Sequence, residues 1–152
     1  MLKRYEKYAQ RFGITLMQDL RPREHSEGDK RWVYPVMDRV IEGIENGDAA
    51  CAELGVEFIE EDASFAFGRI LKSNTARALR RASLTDEQKE RIRKRVVVML
   101  CVGYLPREYR QYAKLARKIG LGSWLSRVQR QADMSNPWVL HYYNYFQEHA
   151  AH

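Results

Sequence analysis

Apolar side chains recur at three- and four-residue spacing along almost the whole chain, which is the period of an amphipathic helix. No stretch alternates apolar and polar residues clearly enough to predict a strand. The first helical segment runs from Leu2 to Phe12 and stops at Gly13. The segment from Arg21 to Lys30 is polar and contains Pro and Gly, so it is predicted to be a loop. The pattern therefore predicts an all-α chain.

Start and stop signals divide the sequence after this loop into further helices. The predicted starts are Pro35, Asp48, Ser64, Thr85, Pro106, Ser123 and Asn136–Pro137. Thr85 has the strongest signal, because Gln88 three residues later completes a capping box. Gly120 is expected to end a helix in the left-handed conformation.

Short connections between such helices require antiparallel neighbours. We therefore predict a single all-helical domain over residues 1–152, with a polar loop near residues 21–30. About six to eight antiparallel helices would form a compact bundle or a short HEAT-like stack of helical hairpins. No residue signature recurs at a fixed period, so the sequence does not decide between these two arrangements.

The composition is that of an ordinary globular domain, with 152 residues, 45% apolar and 30% charged. The longest apolar run, Val96–Val102, is far shorter than the roughly 20 residues of a membrane span. The charged N-terminus also lacks the apolar core of a signal peptide. We therefore expect a cytoplasmic protein with no membrane association. Cys51 and Cys101 are expected to be buried free thiols.

Charge is distributed unevenly along the chain. Residues 1–68 contain 9 Lys or Arg and 14 Asp or Glu, a net charge of −5. Residues 69–152 contain 17 Lys or Arg and 6 Asp or Glu, a net charge of +11. Asymmetry of this kind is one of the few sequence-level indications of a polyanionic partner.

The basic residues are densest in two successive predicted helices. On a helical wheel, the cations of residues 69–81 fall on one half, opposite Ile70, Leu71, Ala78 and Leu79. The candidate phosphate-binding residues are Arg69, Lys72, Arg77, Arg80, Arg81, Lys89, Arg91, Arg93, Lys94 and Arg95. A patch of this density is the electrostatic footprint of phosphate binding. Two other interpretations stay open: a solvated face that pairs with the acidic stretch 43–62, and a surface for an acidic protein.

The C-terminal helix carries an unusual set of aromatic residues. Trp138, Tyr142 and Tyr145 fall at i, i+4 and i+7, which is one stripe, and Tyr143 and Phe146 widen it to one side. Core packing, a surface for a partner protein or a second copy, and base stacking are all compatible with this stripe.

No motif indicates catalysis, a metal site or a cofactor. The four histidines are His25, His141, His149 and His152, and no HExxH or cysteine pair accompanies them. The run Glu60–Asp62 is a weak candidate for a divalent cation. Nucleophile-elbow, Walker and dinucleotide fingerprints are absent. We therefore predict no catalytic residue, no metal and no cofactor, and leave open only an enzyme built from dispersed residues.

The stretch Leu115–Gln131 begins like a DNA-reading helix-turn-helix. In that motif, aliphatic side chains follow the turn glycine after six and nine residues, and here Ser126 and Gln129 occupy those positions. The aliphatic residues Leu125 and Val128 arrive one residue early, which would rotate the second helix by about 100°. The stretch is therefore predicted to be a helical-hairpin connection.

Two function hypotheses follow. The first is a non-enzymatic helical module that binds nucleic-acid phosphates through its basic face. The alternative is a protein-interaction adaptor or inhibitor that uses the acidic 38–62 face together with Trp138, Tyr142 and Tyr145. The charge of the second half favours the first.

Overall fold

The computed structural model describes residues 1–20, 23–27, 30–34, 36–61 and 68–148. In these ranges the chain forms eight helices: α1 (Leu2–Phe12), α2 (Val36–Glu45), α3 (Ala49–Glu60), α4 (Gly68–Leu79), α5 (Asp86–Val102), α6 (Tyr109–Ile119), α7 (Trp124–Gln131) and α8 (Pro137–Glu148). The predicted all-α class and the predicted number of helices are confirmed.

One small β-hairpin interrupts the helical pattern. Strand β1 (Arg23–Glu27) pairs antiparallel with strand β2 (Lys30–Tyr34), with Arg23 opposite Tyr34 and Glu27 opposite Lys30. The polar composition of residues 21–30 predicts a loop and no strand, and the β1–β2 ladder corrects that prediction. A strand pair forms its ladder through backbone groups, so a polar sequence with weak alternation does not exclude it.

Side-chain caps fix two of the helix starts as predicted. Asp48 precedes α3, and its Oδ1 accepts hydrogen bonds from the backbone N–H groups of Ala50 and Cys51 at 2.9 and 3.1 Å. Thr85 and Gln88 form the reciprocal capping box at the start of α5. Each cap satisfies N–H groups that have no partner inside the helix.

Other boundaries differ from the prediction or cannot be compared. The α6 helix begins at Tyr109, because a turn precedes it in which the Tyr109 N–H donates to the Pro106 carbonyl at 2.9 Å. Gly120 has φ 81° but ψ 137°, so it ends α6 with a positive φ and not in the left-handed helical conformation. The predicted starts at Pro35 and Ser64 lie outside the described residues.

The helices are arranged in two layers. Each of α1, α3, α5 and α7 packs against the next member of that series, and we call this series the odd layer. The helices α2, α4, α6 and α8 pack in the same successive way and form the even layer. Contacts between α2 and α3, α3 and α4, α5 and α6, and α7 and α8 join the layers. The even layer therefore brings α4 beside α6, and α6 beside α8.

The core lies between these layers. Val40, Ile59, Ile92 and Leu100 are fully buried members of one apolar cluster. Gly55 lets α3 approach its neighbours closely, since a Cβ at this position would lie 2.7 Å from the Ile44 side chain and 3.2 Å from Thr75. Close approach at a glycine fixes the spacing between the layers.

Three further predictions can be compared with the fold. Ile70, which the helical wheel turned inward, is exposed on α4, so that prediction was wrong. Cys51 is a buried free thiol and Cys101 a half-buried one, and burial raises the pKa of both. No helix within the described ranges combines the length and the apolar character needed to cross a bilayer.

Candidate nucleic-acid interface

The ten predicted phosphate-binding residues are divided between the two layers. Those from Arg69 to Arg81 lie on α4 or directly after it, in the even layer, whereas those from Lys89 to Arg95 lie on α5, in the odd layer. The two sets have different surroundings. Lys72, Arg91 and Arg93 are occupied by contacts within the fold.

Arg91 binds α5 to α3. Its guanidinium contacts Glu53 at 2.7 Å and Glu60 at 2.5 Å, and it lies 3.8 Å from Glu87 on its own helix. Hydrogen bonds with Glu60 and Glu53 raise the pKa of Arg91 above its ordinary value. Arg91 was predicted to contact phosphate. The structure corrects this prediction, because Arg91 pairs with the acidic stretch 43–62 instead.

Arg93 is occupied by the end of α6. Its Nε and Nη2 donate to the carbonyls of Gly120 and Ile119 at 2.5 and 3.1 Å, and its Nη1 pairs with Glu90 at 2.7 Å. The last carbonyls of a helix have no intrahelical donor and carry partial negative charge, which a guanidinium satisfies. Arg93 therefore holds α6 against α5 and is corrected to a structural residue.

Lys72 is buried at the packing edge of α4, with only 7% of its surface exposed. Its ammonium donates to the Glu61 carbonyl at 2.7 Å and lies 5.8 Å from the centre of the Phe58 ring. The helical wheel placed Lys72 with the cations, but the end of α3 covers this part of α4. Lys72 is corrected to a structural residue.

Three of the remaining predicted residues line a groove on the even layer. The groove has a volume of about 580 Å³ and lies between α2, α4 and α6. We call it the basic groove, and its charged lining residues are Arg77, Arg80, Arg81, Lys114, Lys118, Asp38 and Glu45. The cations come from α4 and α6, and the two acids come from α2.

The cations of the basic groove are not neutralised as Arg91 is. Among the described residues, none of these five cations forms an ion pair. The Lys118 ammonium donates to the Arg80 carbonyl at the end of α4, which holds α6 beside α4. The side chains of Arg77, Arg81 and Lys118 are exposed to solvent. Positive charge therefore accumulates along the α4 and α6 walls.

Gln111 adds a polar group to the same groove. Only 8% of its surface is exposed, and its Oε1 has no hydrogen-bond partner among the described residues. A buried acceptor without a partner costs about 1–3 kcal/mol. A ligand that donates a hydrogen bond from a hydroxyl or amino group would satisfy it.

Sequence reasoning missed the contribution of α6 to this surface. Arg110, Lys114, Arg117 and Lys118 fall within a sector of about 100° on the helix, opposite the buried Tyr112 and its neighbours. The signal was present in the sequence, because cations at i, i+4, i+7 and i+8 form one stripe. We call these four residues the α6 stripe.

A second groove lies on the other side of the α6 stripe. It has a volume of about 950 Å³ and runs between α6 and α8. We call it the aromatic groove, and its principal lining residues are Trp138, His141, Tyr142, Tyr145, Asn136, Arg107, Arg110 and Lys114. All three predicted partner-binding residues line it, and Lys114 lines both grooves.

The aromatic stripe of α8 is not the face that packs into the core. Val139 and Phe146 are buried, whereas Trp138 is 67% exposed. Tyr142 is half-buried and contacts the Tyr109 ring edge-on at 4.8 Å, and burial raises its pKa. Tyr145 is also half-buried, with the Arg117 guanidinium 5.7 Å from its ring centre. The core-packing interpretation therefore fits Tyr142 in part and does not fit Trp138.

The other predicted cations lie outside both grooves. Arg69 and Lys94 are exposed, and Lys89 and Arg95 are half-buried on α5. Over the described ranges, His, Cys, Asp and Glu form no cluster of three or more that would hold a metal ion. Asp62, His149 and His152 lie outside those ranges.

The helix-turn-helix candidate contains a connection between two helices at the predicted place, but α7 packs mainly against α5 and not against α6, so the two helices do not form the predicted hairpin. The α6 helix ends at Ile119 and α7 begins at Trp124. The α7 helix packs against α5 and α8, in the odd layer and across to the even layer. Its Arg127 lies 5.4 Å from the centre of the Trp124 ring.

The chain matches no protein-family model, no curated protein and no solved structure.

Proposed function

We propose that the protein binds nucleic acid through backbone phosphates in the basic groove. The observation that carries this proposal is the convergence of five cations from α4 and α6 on one groove, without an ion pair among the described residues. Phosphate oxygens supply the negative charge that these walls lack.

The residue types suit phosphate contacts. Arg77, Arg80 and Arg81 carry planar guanidinium groups that bind phosphate through two parallel hydrogen bonds. Lys114 and Lys118 lie one turn apart, about 6 Å along α6. Lys118 donates one hydrogen bond to the Arg80 carbonyl, but unlike Lys72 it is exposed. Its other N–H groups can therefore reach a phosphate next to the one that Lys114 binds. Contacts of this kind position a nucleic-acid backbone and carry no sequence information directly.

The acids of α2 define one edge of the proposed contact. Asp38 and Glu45 line the wall opposite the cations and would repel a polyanion. The backbone is therefore proposed to follow the α4 and α6 walls.

The adaptor alternative has weaker support. Glu53 and Glu60 of the acidic 38–62 face pair with Arg91, and Glu57 pairs with Arg4 at 2.9 Å. An acid paired inside the chain is less available to an external partner. The assignment as a non-enzymatic, cytoplasmic protein stays a prediction from the sequence.

The test is fluorescence polarisation with labelled oligonucleotides at about 50 mM NaCl, where phosphate contacts are strong. Arg77→Gln/Arg81→Gln removes two charges from the groove. Lys89→Gln/Lys94→Gln removes the same net charge from α5 and serves as the matched control. We expect the groove variant to bind at least about tenfold more weakly, and the control to stay within about threefold of the unmodified protein.

Salt dependence provides a second readout. Contacts from the five cations to a single strand give a slope of log K against log salt of about −3.5. No binding to any oligonucleotide at low salt would refute the proposal, as would equal losses in the groove variant and the control.

A further inference from the structure

We propose that the preferred ligand is single-stranded, with an unpaired base stacked against Trp138 in the aromatic groove. This inference rests on the proposed function, since it extends the same phosphate tract. It names the class of nucleic acid that the two adjoining grooves fit together.

The two grooves adjoin along the α6 stripe. Lys118 lines the basic groove, Arg110 lines the aromatic groove, and Lys114 between them lines both. A phosphate backbone held by these residues would have the aromatic groove directly at its side. Bases attached to that backbone would then reach the rings of α8.

Trp138 has the features of a stacking platform. It is the most exposed of the large aromatic side chains on α8, and its neighbour His141 lies edge-on with ring centres 6.0 Å apart. Its backbone N–H donates to Asn136 Oδ1 at 3.0 Å in the first turn of α8, which fixes the start of the helix. An exposed indole held on a capped helix offers a π-face at low entropic cost.

The combination of charge and rings argues for an unpaired strand. Proteins that bind single strands combine a basic groove for the backbone with aromatic side chains for the bases. In a duplex the bases are stacked on one another and present only their edges, so they cannot cover Trp138. An acidic peptide would satisfy the cations but supplies no regular series of planar groups for the aromatic groove.

The experiment compares three labelled ligands of equal phosphate count: oligo-dT, an abasic oligomer with the same backbone, and a duplex. It uses the full chain, Trp138→Ala and a matched control, Leu140→Ala, which removes an exposed apolar residue of α8 outside the groove. Circular dichroism melting confirms that each variant is folded. Trp138→Phe tests whether another aromatic ring restores binding.

We expect the unmodified protein to bind oligo-dT at least about fivefold more tightly than the abasic oligomer, as one stacked base would give. Trp138→Ala should abolish this preference, whereas Leu140→Ala and Trp138→Phe should retain most of it. Affinity for the abasic oligomer should be unchanged in all three variants.

Failure of this inference is distinguishable from failure of the proposed function. Equal affinity for oligo-dT and the abasic oligomer, with loss of both in Arg77→Gln/Arg81→Gln, would overturn base stacking and leave phosphate binding intact. Displacement of oligo-dT by polyglutamate of equal charge at equal concentration would also overturn it. Absence of binding to all three ligands would refute the proposed function itself.

Discussion

The odd layer and the basic groove both contain arginines, but Arg91 and Arg93 of the odd layer form ion pairs and those of the basic groove form none with a described residue. On α5, Arg91 contacts Glu53 and Glu60, and Arg93 contacts Glu90 and two carbonyls at the end of α6. On the even layer, Arg77 and Arg81 line a groove and form no ion pair with any described residue. Residues 69–81 and residues 89–95 each contain five Lys or Arg.

The difference is set by the neighbouring helix. The α5 helix packs against α3, which presents acids at i, i+4 and i+7 in Glu53, Glu57 and Glu60. The α4 helix packs against α6, which presents a basic stripe, and against α2, whose Asp38 and Glu45 line the opposite wall of the groove without pairing with its cations. Cations that meet an acidic neighbour stabilise the fold, whereas cations that meet other cations stay available to a ligand.

Glu53→Ala should have the largest effect on stability. The carboxylate is 4% exposed and contacts Arg91 at 2.7 Å, with Arg11 at 3.7 Å. Removing Glu53 deletes the charge-assisted hydrogen bonds that it accepts from Arg91, which keeps its contact with Glu60, and we expect a loss of about 2 kcal/mol in the free energy of unfolding. Urea denaturation measures it. In the control Glu87→Ala, the carboxylate is 78% exposed, and the loss should be about 0.5 kcal/mol or less. Equal losses would contradict the comparison.

Alkaline pH should weaken the odd layer through its tyrosines. The Tyr8 hydroxyl donates to Glu57, and burial, with this hydrogen bond, raises the Tyr8 pKa to about 12. The unfolded chain loses this proton near the ordinary value of 10, so the stabilisation is complete below pH 10 and is lost between pH 10 and 12. Tyr8→Phe should show a smaller fall in the free energy of unfolding over this range. The exposed Tyr104→Phe should behave like the unmodified protein, and a reduced fall in both would refute the assignment.

Neutralising the two acids of α2 that line the basic groove should raise its affinity for oligo-dT. Asp38→Asn/Glu45→Gln removes the two carboxylates that line it. We expect oligo-dT to bind about threefold more tightly at low salt, with the gain disappearing as salt screens the groove. Fluorescence polarisation measures the change. Weaker binding in this variant would show that Asp38 and Glu45 contact the ligand or hold the cations of the basic groove in position.

The smallest expected effect is on the stability of the groove variant. Arg77→Gln/Arg81→Gln should change the free energy of unfolding by about 0.5 kcal/mol or less, because neither residue forms a described ion pair. Urea denaturation checks this on the same protein used for binding. A loss comparable to that of Glu53→Ala would assign these arginines to the fold.

The sequence was sufficient for the features that depend on local pattern. The capping box at Thr85 and the cap at Asp48 are local, because the donor and acceptor lie within three residues. The connection at Gly120–Ser123 follows from the same kind of signal. The strand pairing of the hairpin could not be predicted in this way, because apolar and polar residues alternate only weakly along its strands.

The candidate site was harder to predict because it depends on contacts between distant residues. Arg93 is occupied by carbonyls 26 and 27 residues away, and Lys72 by one 11 residues away, so neither position differs from a free cation in the local sequence. The helical spacing puts Trp138 on one stripe with Tyr142 and Tyr145, but it does not show that Val139 and Phe146 face the core and leave Trp138 exposed. The α6 stripe is predictable from the sequence, because its four cations recur at the three- and four-residue spacing of a helix.

Lysine footprinting on the unmodified protein tests the division between the layers most directly. Acetylation rates, measured by mass spectrometry with and without oligo-dT, compare Lys114 and Lys118 in the groove with Lys89 and Lys94 on α5. We expect oligo-dT to slow the acetylation of Lys114 and Lys118 several-fold and to leave the acetylation rates of Lys89 and Lys94 unchanged. Protection of Lys89 and Lys94 without protection of Lys114 and Lys118 would contradict this expectation, as would uniform protection of all four.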